Sequence, residues 1–310
     1  MVDSTCDVPD ATLATAGLVL LPFRLKFPDS EYLDRRSGQE FADWMTRLQA
    51  AGPGFGVAES LTQDELADIL KNHIRSPGPR MIALHVSSWR ALLVGKLSRA
   101  LEALNEDPQW QAQSGRIRLV DSTNVLSGYG AQLIDLLEQR DRGLSALSLV
   151  RRAQRNTRNT RTLFVPASLE YIRARAANLI DSRMKPLARL AARVFNRIPV
   201  LSIRHESEKI VAHRTGLERA REAMLAKVRE TILEQRLLSP HVVVSYAGAL
   251  SDVNLMPGYQ RLVTLAQERG VRVHLARMSV ANAIHVGPRA LSAGFIALKD
   301  ADSRLNSQVD

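Results

Sequence analysis

The sequence predicts an α/β protein of two domains: a parallel-sheet α/β domain first, then a second α/β domain whose sheet is mixed. Three observations predict it. Short apolar runs alternate with longer amphipathic segments in the first half, the pattern of a parallel sheet covered by helices on both faces. Hydroxyl-bearing residues stand directly after those runs, where open α/β sheets bind their ligands: Val2-Asp3-Ser4-Thr5, its repeat Val120-Asp121-Ser122-Thr123, and Ser87-Ser88. Beyond a basic stretch at residues 151–161 the texture changes, and residues 200–203 and 210–214 read as two antiparallel strands.

Taken in order, Asp3 has only two residues before it. A buried central strand has about five, so a first strand shortened at its front is expected. A short helix after Asp7-Val8-Pro9-Asp10, a strand over residues 19–25 and a helix over 38–49 follow. Gly52-Pro53-Gly54 breaks the chain. Thr62 with Glu65 three residues on marks a helix start of capping-box type. A strand at 81–86, a helix at 90–104, a strand at 117–120 and a helix at 128–138 complete the first domain, set at residues 1–157. A helix over 144–152 leads into the basic stretch, and a junction is expected near 155–160. The second domain, 158–300, opens at Leu163-Phe164-Val165-Pro166. After its two paired strands come a helix over 217–237, a strand at 241–246, a helix over 257–270 stopped by Gly270, and a strand at 271–275. Residues 301–310 read as a disordered tail.

With 310 residues the chain can bury a large core. It has no apolar stretch of membrane-spanning length and no start of signal-peptide type, so a cytoplasmic location is expected. Cys6 is the only cysteine, which rules out an internal disulfide and a multi-cysteine metal site. The formal charge of +10 permits nucleic acid, anionic lipid or an acidic protein as partner and proves none of them. Residues 151–161 carry five arginines and no acid, which suits phosphate contacts. No aromatic residue interrupts them, so base-stacking platforms are not expected and nucleic acid is not the expected partner.

Other catalytic or cofactor signatures are weak. Gly52-Pro53-Gly54-Phe55-Gly56 lacks a dinucleotide spacing, and Pro53 removes an N–H donor. Gly95-Lys96 is followed by Leu97, so it is no phosphate-binding loop. The seven histidines show no zinc spacing. No cofactor or metal is expected. Ser87 and Ser88 lack a nucleophile elbow; an Asp121–His285–Ser87 triad is the hydrolase alternative. Asp3 and Asp121 read more simply as residues that cap helices or fix turns.

Several segments, in order, resemble the DegV family of bacterial fatty-acid-binding proteins: Val2-Asp3-Ser4-Thr5-Cys6-Asp7-Val8-Pro9, Leu119-Val120-Asp121-Ser122, Ser127-Gly128-Tyr129-Gly130, Val165-Pro166-Ala167-Ser168-Leu169-Glu170-Tyr171-Ile172 and His285-Val286-Gly287-Pro288. The resemblance runs from residue 1 to about residue 298, and residues 238–248 look like a divergent proteobacterial branch. It implies a two-domain DegV-like fold and a protein without catalytic residues. An acyl chain would lie in an apolar tunnel, with its carboxylate between the domains. The implied partners are a long-chain fatty acid or related amphiphile, a separate kinase subunit that makes the acyl phosphate, and a peripheral membrane contact.

The resemblance also exposes departures. The family's carboxylate-binding Thr corresponds to Val57, and its Ser to Ala91. Its Gly-Gly-Arg stretch is Arg175-Ala176-Ala177, and a Lys before Pro199 is Ile198. His285 matches and can donate to a carboxylate without being charged. Arg289 stands where the family has Gly, either supplying a cation or plugging the pocket; Arg90, Arg204 and Arg214 are weaker candidates for that cation. The expected ligand-binding set is therefore Ser4, Thr5, Ser87, Ser88, Ser122, His285 and Arg289. A closed-pocket protein with a structural or interaction role is the alternative.

Overall fold

In a computed structural model, residues 1–74, 80–88, 90–178, 197–205 and 207–298 are described. The tail expected at 301–310 lies outside these residues.

The first half is built on four short parallel strands. β1 (Val2–Asp3) pairs with β2 (Leu20–Leu21), and β6 (Met81–His85) pairs with β7 (Ile117–Asp121). β1 also joins β6: the Met1 amine donates to the Ile82 carbonyl at 2.9 Å, and the Leu84 amide to the Met1 carbonyl at 3.1 Å. The order is thus β2-β1-β6-β7.

The strand expected over 19–25 is two strands. Pro22 has no amide hydrogen to continue a ladder, and the chain there leaves the parallel sheet. It resumes as β3 (Phe23–Phe27), which lies between β4 (Ser30–Asp34) and β5 (Val57–Ser60) in an antiparallel sheet that the sequence pattern did not suggest. Helices α1 (Asp10–Thr15), α2 (Gly38–Ala51), α3 (Gln63–His73), α4 (Leu93–Glu106), α5 (Gln111–Ser114) and α6 (Leu126–Asp141) complete this half. α3 opens with the expected reciprocal bonds between Thr62 and Glu65.

The basic stretch is largely helical. α7 (Ala146–Asn159) runs through the expected junction, and β8 (Thr160–Val165) follows at once. Arg152 makes a two-bond pair with buried Asp135 at 2.6 and 2.7 Å, and Arg161 is buried with its Nε donating to Ser202 Oγ at 3.1 Å. The five arginines therefore do not share one surface.

The second half holds a six-stranded mixed sheet in the order β10-β9-β8-β13-β11-β12. Its strands are β8, β9 (Ile198–Arg204), β10 (Ser207–Arg214), β11 (Leu237–Tyr246), β12 (Arg272–Arg277) and β13 (Leu291–Ala297). Only the β11–β12 pair is parallel. β9 and β10 form the expected antiparallel pair, whereas central β13 was not foreseen. The helices here are α8 (Leu169–Asn178), α9 (Leu217–Leu233), α10 (Leu250–Asn254), α11 (Pro257–Glu268) and α12 (Val280–Val286).

Successive strand residues point to opposite faces, and this sheet divides accordingly. Leu163, Val165, Val200, Val242 and Val244 pack in a core that includes Met224 and Val228 of α9 and Leu262 of α11. Phe164, Leu201, Ile203 and Val243 face the first half instead, in one core with Leu84, Val120 and Tyr129. α6 rests on β8, β11 and β13, so the halves meet over an apolar face. Among the described residues no helix is long and apolar enough to cross a membrane.

Candidate functional site

A cavity of about 670 Å³ lies where the two halves meet. Its apolar wall includes Phe23, Val125, Leu126, Phe164, Ile203 and Ile284, contributed by both halves. Val57 and Leu92 also line it while 46 % and 78 % exposed, so it reaches the surface there.

Three of the seven expected residues share this wall: Thr5, Ser88 and His285. Thr5 follows β1, and its hydroxyl donates to the Asp3 carboxylate. Asp3 is itself structural: its other oxygen accepts from the Val86 amide at 2.7 Å and the Tyr129 hydroxyl at 3.1 Å. Burial pushes its carboxyl above the ordinary value. Ser88 follows β6, where its amide donates to Asp121 at 3.2 Å. His285 lies in the last turn of α12 and is partly buried. Burial, and then the nearby Arg90 charge, lower its pKa to about 4, so at neutral pH it presents one N–H and one ring lone pair.

The other four lie outside the wall. Ser4 Oγ accepts the Phe23 amide at 3.0 Å, holding β3 where Pro22 interrupts the chain. Ser122 Oγ donates to the Asn124 carbonyl at 3.0 Å and fixes a turn. Ser87 is buried. After β1 and β7 the first polar side chains, Asp3 with Ser4 and Asp121 with Ser122, hold neighbouring backbone in place. Ser87 and Asp121 are thus not assembled with His285 as a triad in this wall.

Arg289 is not among the residues that line the cavity. Its backbone has φ +67°, a left-handed conformation that favours glycine. Its side chain is 58 % exposed and 3.8 Å from Glu218. Gly287, two residues earlier, cannot be replaced so freely: φ is +88°, and a Cβ would stand 2.6 Å from both Ala167 Cβ and Tyr171.

Three polar wall residues were missed or underrated. Asn282 is one helical turn before His285, on the same face, and its side chain donates to the Thr5 carbonyl and to Asp7. Lys96 donates to the Ser60 carbonyl at 3.1 Å. Arg90, a minor candidate in the sequence, projects from the turn after Ser88 and pairs with Glu208 of β10. Val57 and Ala91, the apolar residues at the two family hydroxyl positions, line the same cavity. Among the described residues no three His, Cys, Asp or Glu are grouped to hold a metal ion.

A family model described as "Uncharacterised protein, DegV family" matches residues 1–298. DegV domain-containing proteins of Xanthomonas campestris and Xanthomonas axonopodis are each 24% identical over 304 residues, which is 96% of this chain and 96% of each relative. Among solved structures, a fatty-acid-binding DegV family protein of Thermus thermophilus superposes with a TM-score of 0.75 at 20% identity, covering 96% of this chain and 98% of that one. A DegV lipid-binding protein of Thermotoga maritima gives 0.74 at 16% identity, covering 96% and 97%. A stearic-acid-binding protein of Eubacterium ventriosum gives 0.75 at 14% identity, with the same coverage. These likenesses establish the two-domain architecture.

Proposed function

This chain belongs to the DegV family, and from that premise we propose that it is a non-catalytic binding protein for a long-chain fatty acid or a related amphiphile. The observation that carries this is the cavity: about 670 Å³, mostly apolar, open at Val57 and Leu92, and set with His285, Ser88 and Thr5. An acyl chain inside it is stabilised by about 0.8 kcal/mol for each methylene removed from water. Neutral His285 and the Ser88 hydroxyl supply donors for the head group. Structural relatives described as binding fatty acids support the assignment. The open cavity favours it over a closed-pocket protein with only a structural role.

In this role the protein holds the acid for a kinase subunit that phosphorylates its carboxyl group, and exchanges it by contact with a membrane surface. The apolar side chains exposed at the opening suit such an apolar counter-surface.

Extraction of the purified protein followed by mass analysis tests the proposal. Acyl species in stoichiometric amount are expected, and delipidated protein should take up added palmitate or oleate. A lipid-free protein that also ignores both acids would overturn it. His285→Ala should weaken binding of the acid more than binding of its methyl ester; equal losses would remove His285 from the head-group site.

A further inference from the structure

Next to Ala91 the cavity wall carries Arg90, which is held in an ion pair. Arg90, from the turn after β6, and Glu208, from edge strand β10, form an ion pair whose side chains are only 7 % and 3 % exposed. Glu208 stands opposite Ile203 in the β9–β10 register. Directly opposed residues of an antiparallel pair share a face, and Ile203 lines the cavity. Arg90 lines it too, near enough to His285 for its charge to act on that imidazole. Where Val57 and Ala91 remove two hydroxyls, a guanidinium is present with a carboxylate of the protein already on it.

We propose that Arg90 reads the anionic head of the ligand and that Glu208 is its built-in competitor, displaced from Arg90 when the ligand's carboxylate arrives. The inference rests on the fatty-acid reading given above. Its physical basis is the cost of an unpaired buried charge. A desolvated guanidinium left alone is strongly destabilising, whereas one carboxylate exchanged for another keeps it paired throughout. Arg also matches the planar geometry of a carboxylate with two parallel N–H donors. Glu208 sits on β10, which among the described residues is the outermost strand of its sheet, so no further described strand holds it in place. A neutral ester head gives Arg90 nothing to exchange for, so the pair discriminates acid from ester.

The test compares palmitate and methyl palmitate on delipidated wild type, Arg90→Gln and Glu208→Gln by titration calorimetry. For Arg90→Gln the acid-to-ester affinity ratio should fall about tenfold, the equivalent of roughly 1.4 kcal/mol. For Glu208→Gln, which keeps the side-chain shape and removes the competing charge, the ratio should rise by a similar factor. A fall in the Glu208→Gln ratio would mean that Glu208 orients Arg90 for the ligand, and an unchanged ratio in both variants would remove the pair from head-group reading; either result overturns the proposal. Should the variants unfold, a crystal structure of the wild-type palmitate complex decides the matter. Arg90 bonded to the ligand with Glu208 turned away supports displacement, and an intact Arg90–Glu208 pair rejects it. Wild type that binds neither lipid would fail the broader assignment, whereas binding of both with unchanged ratios fails the displacement alone.

Discussion

Asn282 donates its side-chain amide to the main-chain carbonyl of Thr5 at 2.8 Å, joining helix α12 to the end of β1 across the two halves of the molecule. The same amide donates to Asp7 at 3.0 Å, and Asp7 also accepts from the Ser279 amide at 2.9 Å. The Ala281 amide donates to Asp34 at 3.1 Å. Arg36, buried beside Asp7, donates to the Arg277 carbonyl at 2.8 Å. Acceptors from the first half thus fix the start of the helix that carries His285. Asn282→Ala removes two of these bonds and leaves a buried carbonyl and carboxylate less satisfied. The expected loss in urea unfolding is roughly 1–3 kcal/mol, accompanied by weaker acyl binding because His285 loses its fixed position.

Acid should destabilise the ligand-free protein through His285. Its folded pKa is lowered from 6.5 to about 4, chiefly by burial. Between those values the unfolded chain binds more protons, so stability is complete above about pH 6.5 and is lost as the pH falls toward 4. Moving from pH 7 to pH 5 should cost about 1–2 kcal/mol from this group. Asp7 works in the opposite sense. Burial raises its pKa from 3.8 to about 6, so the folded state binds the extra proton and stability falls as the pH rises through that window. Urea midpoints at the two pH values separate the groups: His285→Gln should be less acid-sensitive than wild type. An identical slope in wild type and variant would show that His285 does not titrate with unfolding.

Arg289→Gly tests the placement of that side chain outside the cavity. Glycine adopts φ +67° without the Cβ penalty of roughly 1–2 kcal/mol, but it costs more backbone entropy on folding. The two effects oppose each other, and a change in stability within about 1 kcal/mol is expected. Palmitate affinity should be unaltered. A marked loss of affinity for the acid with that for the ester preserved would bring Arg289 back into the head-group site.

Local chemistry made many elements legible. Thr62 and Glu65 announced α3, Met81-Ile82-Ala83-Leu84 announced β6, and the β9–β10 pair could be read from its two apolar runs. β13 was hidden because Leu291-Ser292-Ala293-Gly294 reads as a loop: its small residues answer to α6, more than 150 positions away in the chain. The cavity was only partly legible for the same reason. Strand ends after apolar runs located Thr5 and Ser88, but no periodicity distinguishes a hydroxyl that faces a cavity from one that fixes a turn, as Ser4 and Ser122 do. Arg90 and Glu208 are 118 positions apart. Their partnership follows from the packing of the two halves and leaves no local signature.

The close approach of α6 to β13 gives the last prediction. A Cβ on Gly294 would lie 2.1 Å from the Ser127 carbonyl carbon and 2.2 Å from the Gly128 nitrogen, both backbone atoms that no rotamer change can move. The facing glycine is equally constrained: a Cβ on Gly128 would meet Thr162 Oγ1 at 1.9 Å. Gly294→Ala therefore has to push the start of α6 away from the sheet, and overpacking of this kind costs typically about 1–3 kcal/mol, occasionally more. Val125 and Leu126, at that same end of α6, line the cavity, so the displacement should reshape the acyl site as well. Gly17→Ala is the control. Its φ is +62°, but nothing lies within 4 Å of the added carbon, so it carries the backbone penalty without a clash. Urea unfolding should show the greater loss for Gly294→Ala, and calorimetry should show weakened palmitate binding for that variant at temperatures where both proteins remain folded. Equal losses in the two variants would mean that α6 can shift off β13 at little cost, and that the glycine contact is not what sets the position of the cavity wall.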